Sequence, residues 1–215
     1  QLILEIENFK KSYKIDEVIF INNSSTDNTG NILKNQCLNQ KYKYINKLNS
    51  KGYGDGYFEA IKNSSSDFIL TNHSDLQFSF SDLKTFLDKD NPDFFDNTAF
   101  FPIRHNRSIF AYLKTYILRV IYTFIHFIKV NDHNGHPKIF PKKIFDKITN
   151  NTKTGAFDFF IYYLLKKKNI NISYYKVYER KRRYGVSSFS NSFLKELSTF
   201  FEMIKEVLNF NKFIN

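Results

Sequence analysis

Short apolar runs alternate with helical segments along the chain, and this alternation limits its possible folds more than any other feature. Residues 17–21 form an apolar run typical of a buried parallel strand, and further strands are predicted near residues 42–48, 67–71, 99–103 and 170–177. Helical periodicity occupies the segments between them. The pattern predicts an α/β fold, with a doubly wound, mostly parallel sheet and helices on both faces.

Polar residues cluster directly after three of the predicted strands, at residues 22–29, 49–56 and 72–77. In a doubly wound sheet, ligands bind in the crevice outside the carboxyl ends of the strands. We therefore expect these three polar segments to converge on one crevice and to form a binding site there.

The charge balance indicates a negatively charged partner. The 215 residues suffice for one α/β domain, and their formal net charge is +11 with a pI near 9.5. Nucleic acid, an anionic membrane surface and a phosphorylated substrate all fit this charge. Cys37 is the single cysteine, so no disulfide within the chain and no cysteine-based metal cluster can form, which fits a reducing compartment.

Two parts are expected: a domain over residues 1–190 and a C-terminal amphipathic helix over residues 191–215. Residues 108–130 form a long, apolar helical stretch that is too charged to span a membrane. Either it lies in a membrane interface or it packs on the sheet. A helix is predicted at residues 2–13, where such a domain usually has a strand, so we expect the first strand of the sheet to be missing from this chain.

Four segments in order carry a resemblance to a known family, and together they cover nearly the whole chain. Their patterns are a strand followed by Asn-Asn-Ser-Ser-Thr-Asp, a Gly-Tyr-Gly turn, a strand ending in His-Ser-Asp-Leu-Gln, and Asn-Asp-His-Asn-Gly-His; they lie at residues 17–29, 49–56, 68–77 and 130–145. These segments resemble family 2 glycosyltransferases of the GT-A fold, especially the branch of dolichyl-phosphate mannose synthases and polyprenyl-phosphate sugar transferases.

The resemblance implies that a nucleoside-diphosphate sugar binds at the first three segments. Asn22 and Asn23 stand where the family has two acidic residues, and an amide can both donate and accept hydrogen bonds to a base. Asp27 matches a later family aspartate, although it also suits the start of a helix. The residues expected to bind the nucleotide sugar are Asn22, Asn23, Ser25, Asp27, Lys51, Gly52 and His73.

The third segment is the one that implies metal-dependent chemistry. Asp75 and Gln77 match the family turn that binds a divalent cation bridging the diphosphate, and Mg²⁺ and Mn²⁺ prefer such oxygen ligands. His73 stands where the family usually has a first aspartate; it is interpreted as a phosphate donor, a ligand favouring Mn²⁺, or simply a turn histidine. Asp75 is also expected to be catalytic.

The remaining matches imply an acceptor site. Asp132 is expected to act as a general base or to hold a sugar hydroxyl, and Asp158 falls near a family acidic position, where it could also cap a helix. Basic and hydroxyl side chains resemble family residues that approach an acceptor or a phosphate; they are Arg104, Arg107, Lys138, Arg182, Arg183 and Ser187.

The sequence thus predicts an inverting glycosyltransferase that moves a sugar from a nucleoside-diphosphate sugar to a polyprenyl-phosphate or glycan acceptor. It is expected to be cytoplasmic, with peripheral contact at the inner face of a membrane, and to use Mg²⁺ or Mn²⁺. A catalytically degenerate module that only binds nucleotide sugar is the alternative, motivated by the replacements at Asn22, Asn23 and His73. Nucleic acid is not expected as a partner, since the basic residues form no recognisable stacking motif.

Overall fold

The protein is described by a computed structural model that covers residues 1–90, 97–181 and 193–214. Two parallel strands, β1 (Ile19–Asn23) and β2 (Lys43–Lys47), form one sheet. A second sheet has the order β3-β5-β4-β6, with β3 at Phe68–Thr71, β4 at Thr98–His105, β5 at Lys138–Pro141 and β6 at Asn171–Tyr178. In this sheet β5 runs antiparallel to both of its neighbours, while β4 and β6 are parallel.

Helices connect the strands and cover the sheets. In chain order they are α1 (Leu2–Lys10), α2 (Thr29–Gln40), α3 (Tyr53–Lys62), α4 (Phe80–Asp90), α5 (Ile109–His126), α6 (Ala156–Lys167) and α7 (Phe193–Leu208). Short 3₁₀ turns lie at Lys142–Phe145 and Phe210–Phe213. The expected α/β class is confirmed. None of the helices in the described ranges is long and apolar enough to cross a membrane.

Strand β4 has apolar neighbours on both faces, as a strand between two helical layers should. Ala99 and Phe101 belong to a large aromatic core around α6, whereas Phe100 between them belongs to a second core that includes residues of α1 and α4. Every residue of α6 from Ala156 to Leu165 is buried. The end of α7 and the segment after it pack against α6, because Val207 and Phe210 are fully buried in the same core.

Register explains why polar segments meet at one edge of the larger sheet. Thr71 at the end of β3 pairs with Lys138 at the start of β5, and His105 at the end of β4 pairs with Tyr178 at the end of β6. Since β5 runs in the opposite direction, its beginning lies beside the carboxyl ends of the other strands. The turn after β3 and the segments flanking these strand ends therefore share the carboxyl edge.

Close backbone packing at the start of α3 makes Gly54 sensitive to substitution. A Cβ atom on Gly54 would lie 2.2 Å from the carbonyl oxygen of Thr152 and 2.8 Å from Cβ of Phe157. We expect Gly54→Ala to lower the free energy of unfolding by about 3 kcal/mol, measured by urea denaturation, because buried backbone must shift. Gly155→Ala is the control, since its Cβ would meet nothing closer than 3.5 Å; equal losses in both variants would contradict the packing argument.

Candidate active site

The turn after β1 presents only part of its polar surface. Asn22 is buried, and its amide is occupied: Nδ2 donates to Oδ1 of Asn46 at 2.9 Å, and Oδ1 accepts from the backbone N–H of Ser25 at 3.2 Å. Asn23 is exposed and donates to the carbonyl oxygen of Gly52 at 3.1 Å. Ser25 and Asp27 are also exposed. Asn22 therefore shapes the turn, and its three neighbours form the accessible surface.

Asp27 makes the contact expected of a residue at the start of a helix. Its Oδ1 accepts a hydrogen bond from the backbone N–H of Thr29 at 3.0 Å. Hydrogen bonds from Thr29 lower the pKa of the Asp27 carboxyl below its usual value. The side chain thus stabilises the first turn of α2 while remaining exposed.

The glycine-bearing turn before α3 packs against the turn after β1. Gly52 has φ of +139°, a value that L side chains rarely adopt. A Cβ on Gly56 would lie 2.8 Å from Oδ1 of Asn23. Lys51 is exposed, and its backbone N–H donates to Asp55 at 2.8 Å. The structure therefore brings Asn23 and Gly52 together, as the sequence predicts for two segments of one crevice.

The turn after β3 holds the residues expected to bind the diphosphate through a divalent cation. Asp75 and Gln77 are partly exposed, and Oδ1 of Asp75 accepts from the backbone N–H of Gln77 at 3.1 Å. Leu76 between them has a positive φ of 62°, which brings the two flanking residues onto a tight turn. The side-chain amide of Gln77 donates to the carbonyl oxygen of Arg180 at 3.4 Å, which ties this turn to the segment after β6.

His73 lies on top of a buried polar cluster that the sequence patterns did not reveal. Its ring stacks on Tyr53 with centroids 5.8 Å apart and meets the ring of His136 edge-on at 4.1 Å. Tyr53 donates to Oδ2 of Asp158 at 3.0 Å, and the ammonium of Lys138 donates to Oδ1 of the same carboxylate. We call Tyr53, His136, Lys138 and Asp158 the buried cluster.

Electrostatics fix the protonation states in the buried cluster. Burial alone would raise the pKa of Asp158, but the charge of Lys138 lowers it far below its usual range. Burial, together with the charge of Lys138, lowers the pKa of His136 to about 3. The ring is therefore neutral; Nδ1 donates to the carbonyl oxygen of Thr71 at 3.4 Å, and Nε2 accepts from Lys138 at 3.3 Å.

Lys138 is not placed to bind an acceptor or a phosphate, and the prediction made for it from the sequence is wrong. Its side chain is fully buried, and its charge is compensated by Asp158. A buried ammonium of this kind holds the cluster beneath His73 together, and it does not reach the crevice surface. The signal in the sequence was the acidic residue in Phe-Asp-Phe on an otherwise apolar helix, since a buried carboxylate requires a cation or several donors.

Asp132 is bound on both oxygens by one arginine. Oδ2 accepts from the backbone N–H of Arg104 at 3.0 Å and from its Nε at 2.8 Å, while Oδ1 accepts from Nη2 at 2.8 Å. Burial would raise the pKa of Asp132, but the hydrogen bonds and the charge of Arg104 lower it overall. The carboxylate is therefore ionised, and it can take up a proton only by giving up this bidentate pair.

Arg107 joins the same network. Its Nε lies 3.0 Å from a carboxylate oxygen of Glu179, which also pairs with Arg104 at 3.3 Å. Arg104 and Arg107 are thus turned inward, and their two positive charges are balanced by Asp132 and Glu179. The last three residues expected at the acceptor site, Arg182, Arg183 and Ser187, lie outside the residues that the structure describes.

A buried neutral histidine beside Asp132 makes stability depend on pH. His133 is fully buried, neither ring nitrogen has a hydrogen-bond partner in the described ranges, and burial lowers its pKa to about 4. The unfolded chain takes up this proton below about pH 6.5, whereas the folded chain does so only near pH 4. Stability from this group is therefore complete above about pH 6.5 and falls as the pH drops from there toward 4.

We expect His133→Phe to reduce the loss of stability on acidification, by about 2 kcal/mol at pH 5. The phenyl ring can keep the edge-on contact with Tyr122, whose ring centroid lies 5.1 Å from that of His133. The measurement is the midpoint of urea unfolding at pH 7 and pH 5 for both proteins. If the midpoint of urea unfolding shifts equally between pH 7 and pH 5 in both proteins, His133 does not titrate as described.

The fold and the polar turns at its carboxyl edge define the class of GT-A glycosyltransferases. The chain belongs to Glycosyl transferase family 2, because the model of that family matches residues 3–163. It is therefore a glycosyltransferase enzyme, and the expected GT-A fold and nucleotide-sugar class are confirmed. No curated protein matches the chain.

Solved structures with the same fold include glucosyl-3-phosphoglycerate synthase from Mycobacterium tuberculosis. The complex with Mn²⁺, UDP and glucosyl-3-phosphoglycerate has a TM-score of 0.63 and 10% identity, with 96% of this chain and 72% of that chain covered. The complex with Mn²⁺, UDP-glucose and glycerol 3-phosphate has a TM-score of 0.60 and 12% identity, with 96% and 73% covered. A further mycobacterial protein reaches 0.67 at 12% identity, with 97% and 68% covered. These likenesses are to the fold.

Proposed function

We propose that this chain is an inverting glycosyltransferase that moves a sugar from a nucleoside-diphosphate sugar to a polyprenyl-phosphate or glycan acceptor, with polyprenyl phosphate as the leading candidate. The observation that carries the proposal is the placement of the Asp75 turn at the carboxyl end of β3, on the same edge of the sheet as the ends of β4 and β6. Membership of Glycosyl transferase family 2 supplies the reaction class.

Donor binding is assigned to the turns after β1 and before α3. Asn23, Ser25 and Asp27 are exposed and take the nucleoside, while Asn22 holds the shape of the turn from within. Gly52 and Lys51 are assigned to the diphosphate, and His73 is assigned to the same phosphates. Because the similar structures contain UDP or UDP-glucose, uridine donors are the first to test.

The residues present fit a divalent cation only when it is shared with the donor. The described ranges contain no group of three or more His, Cys, Asp or Glu residues able to hold a metal. Mg²⁺ and Mn²⁺ at phosphate sites take one or two protein oxygens and complete their shell with phosphate oxygens and water. Asp75 would supply the carboxylate and Gln77 the amide oxygen; the cation would neutralise charge on the leaving diphosphate.

Because Arg104 binds both oxygens of the Asp132 carboxylate, the site favours an acceptor that is already ionised. A hydroxyl nucleophile needs a base to remove its proton, but the Asp132 carboxylate is held on both oxygens by Arg104. A phosphate oxygen already carries negative charge and attacks the anomeric carbon without such a base. In this proposal Asp132 positions Arg104, and the segment with Arg182, Arg183 and Ser187 contacts the acceptor phosphate. The expected location is the cytoplasmic face of a membrane.

A donor and acceptor screen tests this function. The protein is incubated with UDP-glucose, UDP-N-acetylglucosamine or GDP-mannose, with Mn²⁺, Mg²⁺ or EDTA, and with polyprenyl phosphate or a glycan in detergent. We expect metal-dependent transfer to polyprenyl phosphate with inversion at the anomeric carbon, read by NMR. Tight donor binding with neither transfer nor hydrolysis would favour the binding module. Transfer to the glycan alone would overturn the argument from Asp132.

A further inference from the structure

Helix α5 exposes apolar side chains along its outer face. Ile109 is 84% and Phe124 is 74% exposed, and the helix is followed by Phe127, which is 89% exposed. At about 100° per residue, the exposed apolar side chains fall on one side of α5, opposite the buried Thr115 and Tyr122. We call them the outer stripe: Ile109, Phe110, Leu113, Ile117 and Phe124. An amphipathic helix in a soluble protein normally turns such a stripe inward.

Helix α7 packs beside α5. The ammonium of Lys114 lies 2.9 Å from Glu196, and His126 lies 2.8 Å from the carbonyl oxygen of Val207. These two contacts are about three turns apart on each helix, so α5 and α7 lie side by side and run in the same direction. Exposed apolar residues recur on α7 as well, at Leu194, Leu197, Phe201 and Leu208.

The charges that α5 and its flanking residues carry have one sign, although Lys114 is paired with Glu196 of α7. Residues 106–131 contain no Asp or Glu, and Lys114 and Arg119 lie on opposite sides of the stripe, about 90° and about 130° from its centre. Arg119 also stacks over the ring of Tyr116, at 4.9 Å from its centroid, and Lys129 follows the helix. Long cationic side chains beside an apolar face can keep their charges at a headgroup layer while the face enters the acyl region.

We propose that α5 docks this chain onto an anionic lipid bilayer, with the outer stripe inserted at the interface and Arg119 and Lys129 facing lipid phosphates. A symmetric contact between two copies through the same stripe would bring these cations near one another, which opposes pairing. A bilayer with anionic lipids supplies both the apolar layer and the opposite charge, each basic residue near its surface adding binding energy.

The docking helix is fixed rigidly to the carboxyl edge of the sheet. Arg107 donates to the carbonyl oxygen of Ala111 at 2.9 Å and to Oγ1 of Thr115 at 3.0 Å, and Arg104 donates to the same hydroxyl at 3.3 Å. Bilayer docking would therefore hold this edge at the membrane surface. Docking would present the site to an acceptor carried by a lipid, and this consequence rests on the proposed function. The docking itself does not depend on that function.

Vesicle flotation tests the proposal. The full chain is mixed with vesicles of phosphatidylcholine, or of phosphatidylcholine with about 30% phosphatidylglycerol, the latter providing the anionic surface. We expect binding to the anionic vesicles, weaker binding to the neutral ones, and weakening by salt. Ile109→Glu/Phe124→Glu should lower the partition coefficient at least about tenfold, because two apolar contacts are lost and two negative charges face the lipid.

The matched control is Leu4→Glu/Leu38→Glu, which makes the same charge change at leucines of α1 and α2 that are 67% and 69% exposed. It should bind anionic vesicles within about twofold of the unchanged protein. Absence of binding by the unchanged chain, or equal loss in both double variants, would overturn the proposal. So would a dimer, seen by sedimentation, that disappears in Ile109→Glu/Phe124→Glu without vesicle binding. Hydrolysis of the nucleotide-sugar donor, measured without vesicles, tests the proposed function independently of membrane docking.

Discussion

Asp75→Asn is expected to lower kcat/KM for sugar transfer by about 1,000-fold while the protein stays folded. The substitution removes one negative charge from the turn that is proposed to face the donor diphosphate. It preserves the shape of the side chain, and an amide oxygen can still accept the hydrogen bond from the backbone N–H of Gln77, which lies at 3.1 Å. The variant therefore separates the loss of charge from the loss of the turn.

The control for this variant lies at the other end of β3. Asp67 is exposed directly before β3, at the opposite end from Asp75, and Asp67→Asn should leave kcat/KM within about twofold. Both variants are compared at several Mn²⁺ concentrations, with thermal unfolding as a check of folding. Unchanged activity of Asp75→Asn at every Mn²⁺ concentration would contradict the assignment of Asp75 as the carboxylate that binds the cation.

Lys138→Met is expected to lower the free energy of unfolding by about 3–5 kcal/mol at pH 7. The side chain is fully buried, and its removal leaves the Asp158 carboxylate with Tyr53 and His136 but without its cation. A buried carboxylate without a compensating charge is unfavourable because it has lost its hydration. Urea denaturation of the purified protein measures the change.

A second variant makes this prediction specific to charge. In Lys138→Met/Asp158→Asn the buried charge is gone, and the new amide oxygen can still accept from Tyr53, so we expect part of the lost stability to return. The single variant should also be less impaired at pH 5, where protonation of an unpaired carboxyl becomes easier. A double variant less stable than Lys138→Met would show that packing, rather than the ion pair, dominates at this position.

The carboxyl-edge turns were predictable because their positions follow from local rules. Strands with continuous apolar runs end where polar residues begin, so the segments at residues 22–29 and 72–77 could be placed at strand ends from the sequence alone. The C-terminal amphipathic helix expected over residues 191–215 contains α7 (Phe193–Leu208).

The internal pairing of charges was not predictable from local pattern. Tyr53 and Asp158 are 105 residues apart in sequence, and Arg104 and Asp132 are 28 apart, so their contacts depend on the register of β5 between β3 and β4. Matching by motif assigned Lys138 to the surface of the crevice, whereas register places it beside β3 and its side chain against α6. A basic residue beside a motif can neutralise a buried carboxylate in the core as readily as it can bind a ligand.

The most direct measurement of the central claim is the position of a manganese ion bound together with UDP. In crystals soaked with Mn²⁺ and UDP, an anomalous difference peak is expected about 2.2 Å from the Asp75 carboxylate, with the diphosphate on its other side and the nucleoside at the turn after β1. A peak at another carboxylate, or UDP bound away from the carboxyl edge of β3, would contradict the account.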